Sequence, residues 1–243
     1  MLTSFDGQSR KSRTIIALDC EADKAVSIAY QLAGEASWVK IGMTLYYAYG
    51  TDLVKMMKAR GYKVFLDLKF HDIPHQVEGA ARSAAATGAD MLTMHTVGGR
   101  AMMEAAQRGA IEGALEVGSA TPATLGITVL TSMSQEALSS VGIDRPVEEQ
   151  VLAMAKLAGE SGISGVVASP REAQALREAL GEAAYIVTPG VRPAGSAMGD
   201  QSRVATPKEA FDNGASHIVI GRPITDAPDP IAAFREIAST LGD

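Results

Sequence analysis

The chain has 243 residues, 47% of them apolar, and a formal net charge of −6. That is enough for one large core, and no block of Lys or Arg stands out, so no nucleic-acid partner is expected. No apolar run approaches the roughly 18 residues of a membrane span, and the single cysteine, Cys20, excludes an intramolecular disulfide and points to a reducing, cytoplasmic setting.

The first 13 residues are polar and mixed in charge. They lack the apolar stretch of a signal peptide and are expected to form a flexible N-terminal tail. From there apolar runs recur at fairly regular intervals, each followed by a helix-like, Ala-rich segment. Strands are predicted over residues 14–19, 38–41, 63–69, 91–95, 124–130, 165–169, 184–189 and 217–221. Helices are predicted over 23–34, 44–60, 73–87, 99–112, 147–161, 170–180, 206–213 and 230–241. Gly34, Gly61, Gly88 and Gly214 sit where helices should stop. Thr206-Pro207-Lys208-Glu209 combines an N-cap, a Pro at the first helical position and a Glu three residues on, the pattern of a capping box. Eight β-then-α units with short apolar strands predict a parallel sheet closed as a (β/α)8 TIM barrel, a single domain over residues 14–243. A doubly wound open sheet is the alternative.

In a barrel, polar residues at the C-terminal ends of strands share one mouth, where active sites of this fold lie. Here they are Asp19, Lys40, Asp67, Lys69, His95, Thr131, Arg192 and Arg222. The densest stretch is Phe65-Leu66-Asp67-Leu68-Lys69-Phe70-His71-Asp72-Ile73-Pro74. Strand alternation puts Asp67 and Lys69 on one side, about 7 Å apart along the strand, and two opposite charges facing a barrel interior are costly unless paired. Lys40, Asp67, Lys69 and Asp72 are expected to form an alternating chain of charges, and an ammonium held against an anionic substrate suits proton donation to a developing carbanion. Asp19 and Lys40 are placed to hydrogen-bond sugar hydroxyls.

On the other side of the mouth, Thr188-Pro189-Gly190-Val191-Arg192-Pro193 opens a long loop that reaches Gln201-Ser202-Arg203, and strand 8 ends in Gly221-Arg222-Pro223-Ile224. Loops 7 and 8 are the usual phosphate position in this fold, where backbone N–H groups and an Arg fork surround an anion. Residues 191–203 look like a lid that closes over a ligand. His71 and His75 are four apart, but Pro74 intervenes, so they are not expected to share a helical face as metal ligands, and no metal is expected. Cys20 is read as a small buried residue rather than a nucleophile. His95 is either a supporting hydrogen bonder or a packed histidine.

The stretch from Phe65 to Pro74 closely resembles the signature of the orotidine 5′-phosphate decarboxylase family. Ala17-Leu18-Asp19, Val39-Lys40-Ile41-Gly42, Leu130-Thr131-Ser132 and the two loop motifs match the same family in the same order, most like its bacterial branch. The resemblance implies cofactor-free conversion of orotidine monophosphate to uridine monophosphate and CO2. It implies that Lys69 protonates C6 after CO2 leaves, that Asp67 lies beside the substrate carboxylate, and that Lys40 and Asp19 hold ribose hydroxyls. It further implies that Asp72 completes the array in a neighbouring subunit's site, hence a homodimer with shared active sites. Thr131 would sit near the pyrimidine, with Ser134 as a neighbour. Gln201, Gly221 and Arg222 would grip the phosphate, with Arg192 in the closing loop, and Ile73 and Pro189 join the substrate-binding set. A metal-dependent barrel decarboxylase acting on a sugar acid phosphate shares the D-x-K-x-x-D pattern, but it needs a carboxylate near the end of strand 2, where this chain has Lys40. A sugar-phosphate epimerase would want metal-binding histidines on several strands. A nucleotide-sensing barrel without turnover would not require the full charged set.

Overall fold

The computed structural model describes Phe5 and residues 7–193 and 205–242. Among these, eight strands alternate with helices: β1 (Thr14–Ala17), α1 (Ala22–Gln31), β2 (Trp38–Gly42), α2 (Met43–Ala59), β3 (Lys63–Phe70), α3 (Pro74–Ala85), β4 (Met91–His95), α4 (Gly99–Glu116) and β5 (Ala123–Ile127). There follow α5 (Gln135–Ser140), α6 (Val147–Glu160), β6 (Gly165–Val167), α7 (Ala173–Leu180), β7 (Tyr185–Thr188), α8 (Pro207–Asp212), β8 (His217–Ile220), α9 (Arg222–Thr225) and α10 (Pro230–Ser239). The strands pair in sequence order, all parallel, and close where β1 meets β8 at Thr14 and Ile218. This is the predicted (β/α)8 barrel rather than the open sheet.

Alternation sorts each strand into two layers. Ile15, Ala17, Trp38, Phe65, Met91, Leu125, Val187 and Val219 fill the barrel interior. Ile16, Leu18, Val39, Ile41, Val64, Leu66 and Leu92 face outward against the helices. One step further along the inward-facing rows, Lys40, Asp67 and Thr93 replace hydrophobes, and all three are buried. The polar mouth therefore begins directly above an apolar floor.

Several boundaries differ from the sequence expectation. β1 ends at Ala17 and β5 at Ile127, so Asp19 and Thr131 stand on loops. The helix expected to stop at residue 112 runs on to Glu116. Gly113 is not a terminator: a Cβ there would lie 2.0 Å from the Arg82 carbonyl oxygen, so the glycine lets α4 touch the backbone of α3. The short helices α5 and α9, of six and four residues, have too few residues to show a period. The predicted capping box at Thr206 and Glu209 is present on both arms.

The segment expected as a flexible tail is anchored in its described part. Residues Lys11–Arg13 form a 3-10 turn. Arg10 donates to the Leu241 carbonyl at 2.8 Å and pairs with Asp212, and Arg13 donates to the Ser216 carbonyl at 2.9 Å. Phe5 meets the rings of Tyr185 and His217 edge-on. The contacts cap the N-terminal end of the barrel, which local polarity alone does not reveal.

Candidate active site

A cavity of about 460 Å³ opens at the C-terminal ends of the strands. Its wall includes Asp19, Lys40, Asp67, Lys69, Thr131, Pro189, Arg192, Gly221 and Arg222, nine of the positions that stand out in the sequence. The charges converge as a chain. Asp19 Oδ1 lies 2.7 Å from Lys40 Nζ, Lys40 Nζ lies 3.8 Å from Asp67 Oδ2, and the same Oδ2 lies 2.7 Å from Lys69 Nζ. The side chains of Lys40 and Asp67 are 10% and 12% exposed, so neither charge is tolerable alone and each is held by its neighbours. Gly42, at the end of β2, makes room for the first pair. A Cβ there would come within 3.0 Å of Asp19 Oδ1 and 3.2 Å of Lys40 Nζ.

The central strand is irregular where the chemistry sits. Leu66 pairs with Leu92 and Phe70 with Met94, so three residues of β3 bulge opposite one of β4. Among the described residues Lys69 is the one non-glycine with positive φ, at +54°. An L-residue in that region costs about 1–2 kcal/mol, and such strain persists where surrounding contacts fix it. On this bulge the Lys69 ammonium meets Asp67 Oδ2 at 2.7 Å. The opposite residue, Thr93, is absent from the set the sequence points to. Its one signal there is a threonine among the apolar residues that precede His95 in β4.

The cavity wall also carries Gly190, Arg192, Gly221 and Arg222. Gly190 has φ +79°, a turn closed to most side chains. The Arg192 amide donates to the Ala205 carbonyl at 3.0 Å, pinning both ends of the loop between them. Gln201 lies outside the described residues, as does most of the loop expected to act as a lid.

Some expected residues are not gathered here. Asp72 and Ile73 are exposed, do not line the cavity, and Asp72 Oδ1 accepts from the Ile73 amide at 2.6 Å. Within one chain, Asp72 does not join the charge chain. Ser134 caps α5 by accepting from the Ala137 amide. His95 stands beside His71, ring centroids 5.5 Å apart, and is not part of the cavity wall. Burial, then the neighbouring His71 and Lys69, lower its pKa below the ordinary histidine value. Cys20 is half-buried, and burial raises its thiol pKa, which keeps it a poor nucleophile. Among the described residues no group of three or more His, Cys, Asp or Glu side chains is arranged to hold a metal ion, and no helix is long and apolar enough to cross a membrane.

The comparisons with known proteins agree with this geometry. The sequence profile described as "Orotidine 5'-phosphate decarboxylase / HUMPS family" matches residues 12–237. An orotidine 5'-phosphate decarboxylase of Moorella thermoacetica is 51% identical over 233 residues, covering 95% of this chain and 92% of the relative. One from Nitrosococcus oceani is 47% identical, covering 96% and 99%. Among solved structures, the orotidine 5'-phosphate decarboxylase of Lactobacillus acidophilus is similar with a TM-score of 0.85 at 39% identity, covering 96% of this chain and all of that one. With the barrel closed, the charged residues converged at its mouth and the match spanning nearly the whole length, the chain belongs to the orotidine 5'-phosphate decarboxylase / HUMPS family.

Proposed function

We propose that this protein decarboxylates orotidine 5′-monophosphate to uridine 5′-monophosphate and CO2, the last step of de novo pyrimidine nucleotide synthesis. The observation that carries the reading is the Asp19–Lys40–Asp67–Lys69 chain on the wall of a cavity that Arg192 and Arg222 also line. The phosphate binds at Gly221, Arg222 and Arg192, with Gln201 in the loop between, and Pro189 and Thr131 line the path to the base. Ribose hydroxyls meet Asp19 and Lys40. The C6 carboxylate then lies against Asp67 and Lys69. The bond from C6 to the carboxylate carbon breaks and its electron pair stays on C6. CO2 departs, and the Lys69 ammonium gives a proton to C6, leaving a neutral amine that solvent reprotonates. As proposed, the reaction calls on no metal or cofactor.

The phosphate is remote from the bond that breaks, so its binding energy is available to drive loop closure and orientation at the reacting end. Preorganised positive charge beside the developing carbanion is the larger catalytic contribution. Asp72 and Ile73, exposed and turned out of their own cavity, support a homodimer in which each subunit supplies them to its partner's site. A reducing, cytoplasmic setting belongs to the same proposal and rests on the lone Cys20.

Incubation with orotidine monophosphate and chromatographic identification of the product test the reading. Uridine monophosphate with stoichiometric CO2 supports it. Inertness toward this nucleotide, with Mg2+-dependent decarboxylation of a sugar acid phosphate, would replace it.

A further inference from the structure

Thr93 occupies an unusual place. It is the one residue of β4 opposite the three-residue bulge that carries Asp67 and Lys69, and it is completely buried. Its hydroxyl donates to Asp67 Oδ1 at 2.9 Å and accepts from the Lys69 backbone amide at 2.9 Å. A hydroxyl has one proton to give, and here it goes to the carboxylate. Where a regular parallel ladder would offer a backbone carbonyl, the Lys69 amide finds a side chain instead.

We infer that Thr93 is the positioning residue of the acid–base pair: one hydroxyl fixes both the Asp67 carboxylate and the strained backbone of Lys69. The inference rests on the decarboxylase reading of the site for its kinetic consequence, but its structural content does not. Holding Oδ1 orients the carboxylate so that Oδ2 faces Lys69 Nζ at 2.7 Å and Lys40 Nζ at 3.8 Å. Holding the amide stabilises the φ of +54° that returns the lysine side chain over its own strand. Without both bonds, Lys69 has no reason to stay in a conformation that other L-residues avoid, and its ammonium leaves the reacting position. Thr93 is not part of the cavity wall, so it acts only through its two partners.

The test uses Thr93→Val, nearly the same shape without the hydroxyl, and Thr93→Ser, which keeps the hydroxyl without the methyl. Displacement of a reacting group by about 1 Å costs on the order of 100-fold. Thr93→Val is therefore expected to lower kcat for orotidine monophosphate by roughly that factor with KM within about threefold, and Thr93→Ser to recover most of the loss. A merely structural threonine would lower thermal stability while leaving kcat per folded molecule unchanged, and that result overturns the inference. Thr93→Ala makes the same comparison with less bulk if the valine variant fails to fold. A crystal structure of the hydroxyl-less variant decides independently of the substrate. Lys69 relaxed to negative φ, with its ammonium moved away from Asp67, supports the inference; Lys69 unmoved refutes it. Failure of the wild type on orotidine monophosphate would sink the decarboxylase reading and leave that structural test standing.

Discussion

Replacing His217 with Phe should remove a specific acid lability from this fold. His217 is buried at the N-terminal end of the barrel, stacked on Tyr185 at 5.6 Å, edge-on to Trp38 at 5.4 Å and to Phe5 at 5.5 Å. Its Nδ1 meets Ser216 Oγ at 3.1 Å. Burial first, then the positive charges of Arg13 and Lys63, push its pKa from 6.5 down to about 3. The unfolded chain takes up a proton near pH 6.5 that the folded protein refuses until near pH 3, so stability is lost as pH falls through that window. Linkage gives a slope of about 1.4 kcal/mol per pH unit within the window, or about 2 kcal/mol between pH 7.5 and pH 5. Phe keeps the ring and its packing but cannot titrate. Urea unfolding of both proteins at pH 7.5, 6 and 5 measures the effect, because other titrating groups cancel in the difference. The wild type should lose about 2 kcal/mol relative to His217→Phe across the range. A gap constant to within roughly 0.5 kcal/mol would mean that the folded protein protonates His217 as readily as the unfolded one, and that burial does not keep this ring neutral.

Other perturbations follow the same physics. Alanine at Gly109 or Gly113 would place a Cβ 2.1 Å from the Glu78 carbonyl oxygen or 2.0 Å from that of Arg82, and backbone cannot yield cheaply. Each should cost about 2–3 kcal/mol and lower the melting temperature by several degrees, with an unchanged melt refuting the close helix contact. If Arg222 grips the phosphate as proposed, Arg222→Ala removes charge-assisted hydrogen bonds worth about 1.5–3 kcal/mol, so kcat/KM for orotidine monophosphate should fall roughly 10–150-fold; an unchanged value would move the phosphate elsewhere. If Asp72 serves the partner's site, mixing the inactive Lys69→Ala and Asp72→Ala proteins should restore about a quarter of wild-type activity, since half the dimers are mixed and each holds one intact site. No recovery after subunit exchange would confine the site to one chain.

The barrel itself is legible in the sequence because strand and helix periods alternate cleanly, and because buried parallel strands must be apolar except where they end. Lys40, Asp67 and Lys69 stand out as charges that a core does not tolerate. What the sequence hides is contact at long range. Alternation says that Asp67 and Lys69 share a side of the strand, but not that their head groups pair at 2.7 Å on a bulge set against β4. No local propensity predicts a lysine at φ +54°, which is fixed by a threonine 24 residues away. The helix predicted to stop at residue 112 runs on through Gly113, whose reason for being glycine lies on another helix. The N-terminal segment looks like a tail because Arg10 finds the Leu241 carbonyl 231 positions on. Spacing and motif group Asp72 with the other charges, and the single chain leaves it outside the cavity.

Decarboxylation of orotidine monophosphate in the presence of EDTA, wild type beside Lys69→Ala, bears most directly on the proposed role of Lys69. Wild-type turnover should be untouched by EDTA and should fall by at least about 1,000-fold in the variant, equivalent to about 4 kcal/mol of transition-state stabilisation. Wild-type rates in Lys69→Ala, or turnover that stops with EDTA and returns with Mg2+, would contradict that role.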